Sequence, residues 1–213
     1  NVLQDLGQLT EARTYYERAL RIGEAHFGPD HPSVAICVNN LGNVLHDLGQ
    51  LTEARTYYER ALRIDEAHFG PDHPSVAICV NNLGDVLKAL GQLTEARTYY
   101  ERALRIDEAY FGPDHPETSI DVTNLGTVLQ ALGQLEEART HHKRALRIDE
   151  ASFGPEHPSV ARTVNNLGTV LQGLGQLKEA RTYYERALRI YLDFSGYSDI
   201  AIGLAAMMGI KLP

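Results

Sequence analysis

The chain has no Lys/Arg-rich cluster, and its 20 basic residues are outnumbered by 28 acidic ones, for a formal net charge of −8 at pH 7. Phosphate binding needs a basic footprint, so nucleic acid is set aside as a partner. Long hydrophobic runs are missing too. The longest uncharged, mostly apolar stretch, 200–210, falls short of the about 20 residues that span a bilayer, so no membrane partner is expected. Its glycines lack the Gly-Lys-Ser/Thr ending of a phosphate loop. The sequence opens at Asn1 with no signal-peptide pattern and no Met at its first position. The expectation is a piece of a longer protein, with any targeting or catalytic module outside it.

What is present is repetition. The string GQLTEARTYYERALRI starts at Gly7, Gly49 and Gly91, with variants at Gly133 and Gly175, an interval of 42 residues each time. A fixed period of this size means stacked helical units that bury their apolar faces against their neighbours. The first two copies, 7–48 and 49–90, differ only at Gly23/Asp65, Asn43/Asp85, His46/Lys88 and Asp47/Ala89. Recent duplication and deliberate idealisation both account for this. The two cysteines, Cys37 and Cys79, share one slot with Asp121 and Thr163. A slot that accepts Asp is expected to be partly solvated. Equivalent positions on packed helices lie about 10 Å apart, too far for a disulfide. Free thiols favour a reducing compartment, and a cytoplasmic location is expected.

Each repeat reads as two antiparallel helices. In 31–70, His31-Pro32-Ser33 starts the first, with Pro32 at a position where its missing N–H costs nothing. Val34, Ala35, Val38, Leu41, Val44, Leu45 and Leu48 then recur on one face until Gly49 ends the helix. The second, of about 18 residues, carries Leu51, Ala54, Tyr58, Ala61, Leu62 and Phe69. Gln50 or Thr52 is expected to cap it, and Gly70-Pro71 stops it. Small residues at Gly42, Ala54 and Ala61, and at their counterparts, mark close helix approach.

The string NNLGNVLHDLGQLTEARTYYERAL resembles the tetratricopeptide repeat, on Leu41-Gly42, Leu45, Gly49, Leu51, Ala54, Tyr58 and Ala61. The longer unit, with FGPDHP inserted, looks like the kinesin-light-chain type. The resemblance implies an all-α fold, a right-handed α-α superhelical solenoid of stacked antiparallel helix pairs, over 1–194. A capping helix is expected in 195–213. It further implies that first helices line a concave groove holding a protein or peptide. By that register the groove residues are Asn39, Asn40, Asn43 and His46; Asn81, Asn82, Asp85 and Lys88; Asn124, Thr127 and Gln130; and Arg162, Asn165, Asn166 and Thr169. Ile36, Ile78 and Ile120 add apolar contact. Lys88 and Arg162 are expected to receive acidic groups, and Asp85 and Asp121 to repel them. An Asn column has a second reading, in which each amide bonds only the neighbouring helix.

No enzyme signature, cofactor or metal site emerges. His31, His73, His115 and His157 recur once per repeat as structural punctuation. His141 and His142, adjacent on a helix, point about 100° apart and cannot chelate together. His142 is expected in the core slot of Tyr58. Runs such as Glu59-Arg60 read as solvated faces. At the start, residues 1–6 read as a helix stub that leaves part of the 9–27 helix uncovered for self-association. Three classes remain: a peptide-binding scaffold, a sensor arm of a larger signalling or nucleotide-hydrolysing protein, and a structural or designed array without a natural ligand.

Overall fold

Each repeat begins where the backbone is already shaped for a helix. Proline fixes φ at the first helical position, and the preceding histidine is extended, with φ −82° at His31. The apolar spacing then carries the helix until a glycine ends it. Gly49 has φ +73°, and its N–H donates to His46 O while that of Gln50 donates to Leu45 O, the paired bonds that close a helix C-terminus.

A computed structural model describes residues 2–193, with side chains from 7 to 192. Among the described residues there are nine helices and no strand. They are α1 Val2–Phe27, α2 Pro32–Asp47, α3 Leu51–Phe69, α4 Pro74–Ala89, α5 Leu93–Phe111, α6 Pro116–Ala131, α7 Leu135–Phe153, α8 Pro158–Gly173 and α9 Leu177–Asp193. The chain divides into two bodies, Asn1–Tyr110 and Phe111–Pro213. In the first, α2 packs on α1, α3 and α4, and α3 packs on α4; in the second, α7 packs on α6 and α8, and α8 packs on α6 and α9. The capping helix expected in 195–213 lies outside the described residues.

Cores form at the expected faces. Val34, Val38, Leu41 and Leu45 of α2 are buried with Ala54, Tyr58 and Ala61 of α3. In the second body Leu146, Val160, Ala161, Val164, Leu167, Ala187 and Ile190 form one cluster, against which Tyr183 and Tyr191 pack. The close approach at Gly42 is severe. A methyl group there would lie 2.6 Å from Tyr58 Cε1, and one at Gly84 would lie as close to Tyr100.

Three expectations are corrected. Residues 2–6 of the expected stub are part of α1, which runs unbroken through Gly7-Gln8, where later copies turn. Six residues offer too little apolar surface to hold a folded-back helix, whereas continuing the helix satisfies the backbone locally. The face of α1 assigned to self-association exposes Tyr15 and Ile22. Next, no side chain caps α3 at Gln50. The Gln50 amide oxygen instead accepts from Arg13, as Gln92 accepts from Arg55. Finally, the cysteine slot is solvated only at Cys37, which is half-buried: Cys79, Asp121 and Thr163 are buried, as is Asp65 on the facing helix. The Cys79 thiol donates to Asp65 Oδ2 at 3.4 Å, and at the equivalent junction Ser119 and Thr163 donate to Asp149 at 2.6 and 2.7 Å. The carboxylates that face this slot, Asp65 and Asp149, are tolerated in the interior because thiol or hydroxyl donors meet them.

Candidate functional site: the first-helix face

The exposed side of each first helix is a stripe at helical spacing. On α2 it runs Ile36, Asn40, Asn43 and Asp47, the steps i, i+4, i+7 and i+11. The opposite side of the helix is the core. Ile36 is 65% exposed and Ile78, in the same slot of α4, 58%, large values for isoleucines on helices otherwise packed tightly.

Several polar residues of this stripe are engaged from beneath. Tyr58 lies under Gly42 and sends its hydroxyl outward, donating to Asn43 Oδ1 at 2.8 Å. Tyr100 donates likewise to Asp85 Oδ1 at 2.7 Å, and Tyr184 to Gln172 Oε1 at 2.9 Å with Thr169 Oγ1 at 3.4 Å. Burial, followed by the charges of Asp47 and Asp85, pushes the Tyr58 phenol upward; burial and Asp85 do the same for Tyr100. Both therefore remain protonated donors at neutral pH. The signal for these bonds was in the sequence: donor and acceptor stand fifteen residues apart in each of these repeats.

Other residues of this face engage laterally. Asn82 donates its amide N–H to Asn39 Oδ1 of the preceding repeat at 2.8 Å, so one rung of the asparagine column joins helix to helix. Lys88 pairs with Asp85 at 2.9 Å and stands 5.5 Å from the centroid of the Tyr100 ring. The Lys88 charge is thus already answered within its own helix. Among the described residues Asn40, Asn166 and Arg162 make no side-chain hydrogen bond. Arg162 is exposed on α8, near the half-exposed Asn165, Asn166 and Thr169; on α6, Asn124, Thr127 and Gln130 are half-exposed. Asp121 is withdrawn from this face and fully buried, which corrects its expected role as a repelling charge.

The opposite, second-helix face is a lattice rather than loose solvated charge. Arg55 donates to Glu59, Gln92 and Glu95; Arg102 donates to Glu66 at 2.6 Å and to Pro71 O. Arg60 repeats that arrangement with Glu24 and Pro29 O. These contacts tie α3 to α1 and α5 to α3 within the first body. At the loops, each recurrent histidine caps its helix: His73 Nδ1 accepts from the Ser75 N–H, and the ring stacks on Phe69 at 4.5 Å between centroids. Sequence reading marked these histidines as punctuation and missed the cap, because histidine is not among the usual capping residues.

Among the described residues no group of three or more His, Cys, Asp or Glu is placed to hold a metal ion, and no helix is long and apolar enough to cross a membrane.

Stacked helix pairs with an exposed, regularly spaced first-helix face define a helical-repeat scaffold. The chain matches the tetratricopeptide-repeat family over residues 1–67, 35–109, 76–121 and 119–193, and belongs to it. No curated protein sequence matches it significantly. Among solved structures it is similar to BtubC (BKLC) from P. vanneervenii, with a TM-score of 0.80 and 26% identity, covering 91% of this chain and 77% of that one. It is also similar to the nearly identical TPR-like repeats of a Podosopora anserina chain named for kinesin light chain, with a TM-score of 0.74 and 26% identity over 91% of this chain and 92% of that one. A singly substituted form of the latter gives a TM-score of 0.76 at 26% identity, with 90% of each chain covered. Repeats of this family are generally non-catalytic scaffolds that bind proteins or peptides.

Proposed function

We propose that the chain holds a segment of a partner protein against its first-helix faces, on α2 and α4 in the first body and on α6 and α8 in the second. The observation that carries this reading is the pair Ile36 and Ile78, 65% and 58% exposed, each in line with an asparagine one turn on. An exposed apolar side chain beside amides that offer donor and acceptor suits an extended peptide, with the isoleucine filling a side-chain gap and the amide meeting the backbone. Frame and face also diverge differently. Between the first two copies, three of the four differences (Asn43/Asp85, His46/Lys88 and Asp47/Ala89) fall on this face, and the fourth, Gly23/Asp65, lies on a second helix. Asn40, Asn166 and Arg162 are the polar groups most available to a ligand, since Asn39, Asn82, Asp85 and Lys88 already have partners.

The test is a display selection of peptides on the intact chain, repeated with Ile78→Glu and Asn40→Ala. Both positions leave the core untouched, so circular dichroism should not change. Peptides selected on the parent should bind Ile78→Glu at least about tenfold more weakly, a loss of about 1.4 kcal/mol. Equal binding by both variants would place recognition elsewhere, and a selection without any binder would favour a spacer or an arm that needs the rest of a larger protein.

A further inference from the structure

One aromatic slot differs in kind. Tyr58, Tyr100 and Tyr184 each lie under a glycine and reach the first-helix face through their hydroxyls. His142 takes the same place under Gly126, where a methyl group would lie 2.8 Å from its Cε1. The ring is fully buried, and neither Nδ1 nor Nε2 has a hydrogen-bond partner. Thr127, which stands where Asn43 and Asp85 accept the tyrosine hydroxyl, turns its own hydroxyl back to Thr123 O at 2.9 Å. A neutral imidazole is held here at the expense of two unmade bonds, and an imidazolium would be far worse placed.

The surroundings offer a charged ring nothing. On α6, Gly126 and Thr127 do not titrate, and Asp121 sits five residues before Gly126, about 140° round the helix. On α8, which packs on α7, the polar residues Asn165, Asn166, Thr169 and Gln172 are uncharged, and Arg162 is a cation. On α7 itself, His141 adds a like charge when protonated. Asp149, about 10 Å further along that helix, is already bonded by Ser119 and Thr163.

We propose that His142 makes the α6–α7 pair an acid-released element: protonation drives the ring from beneath Gly126 and opens the pair, while the α2–α3 pair, with Tyr58 in the slot, stays closed. Burial, and to a lesser degree His141, lowers His142 from 6.5 to about 4. The unfolded chain therefore takes up this proton first as the pH falls. The contribution to stability is complete above about 6.5, is lost between 6.5 and about 4, and does not fall further below that. Between pH 7 and pH 5 the opening equilibrium of the pair should rise about 20-fold.

Amide hydrogen exchange resolved by helix, corrected for intrinsic rates, reads this directly on the full chain. In the parent, α6–α7 should show that rise and α2–α3 should not. His142→Tyr restores the residue of the other three repeats, and His142→Phe removes the titration without supplying a hydroxyl; both should hold the change to within about twofold. The same rise in both variants, an unchanged α6–α7 in the parent, or an imidazole resonance of His142 titrating near 6.5 in the folded protein would each overturn the proposal. The readout does not depend on peptide binding. Loss of bound peptide on acidification with normal exchange would argue against the switch without touching the groove, whereas acid-released exchange without any binder would do the reverse.

Discussion

At the scale of single residues, two glycines in helical backbone have opposite roles. Gly84 is there because the Tyr100 ring occupies the space of a side chain, 2.6 Å from where a Cβ would stand. Gly84→Ala must push the ring or the helix, and should cost about 1–3 kcal/mol in a thermal or urea melt. Gly23 is in α1 with no such neighbour: a Cβ would meet Val34 Cγ2 at 3.5 Å, an ordinary contact. Gly23→Ala should raise stability by about 0.5–1 kcal/mol, since alanine is the better helix former and restricts the unfolded chain. The sequence marked Gly42 and its counterparts as close contacts from size alone, without naming the ring that presses on them. The buried Asp65 was not legible in this way. Its carboxyl, raised by burial and partly offset by the Cys79 thiol, faces the cysteine slot, which the Asp at position 121 suggested was wet.

At the scale of elements, helix limits were readable because they depend on local chemistry: proline at the first turn, glycine past the last. The caps were not, since they depend on which side chain reaches back. His73→Ala should cost about 1 kcal/mol by removing the acceptor for the Ser75 N–H, and His73→Asn should recover most of it although it abolishes the ring stack on Phe69. If the asparagine variant melts like the alanine variant, the stack rather than the cap holds the loop. The continuity of α1 belongs to the same scale. The Gly-Gln pair that turns the chain at Gly49 leaves it helical at Gly7, so the dipeptide permits a turn and the packed first helix compels it.

At the scale of the molecule, contacts within each body join helices that are neighbours or next neighbours in sequence. Stability in such an array is a sum of local and nearest-neighbour terms. Leu167→Ala, which empties a fully buried position in α8, should cost about 2–5 kcal/mol there. Hydrogen exchange should show α8 and α9 losing protection while α2 and α3 keep theirs. Uniform loss through all the described helices would mean that the array unfolds as one unit.

The sequence alone determined the period, the alternation of first and second helices, their ends and the residues of the core, because these follow from spacing, capping chemistry and side-chain size acting within a few turns. It also carried the family, through the Leu-Gly, Gly, Ala, Tyr and Ala positions of each copy. What tertiary structure decided is which polar groups remain available on the first-helix face. Asn82 is joined to Asn39, Asp85 to Tyr100 and Lys88, and Asn43 to Tyr58, while Asn40, Asn166 and Arg162 stand clear. A period places equivalent residues on one face. Whether two of them come within about 3 Å of each other depends on the approach of separate helices, and that is fixed only when the helices pack.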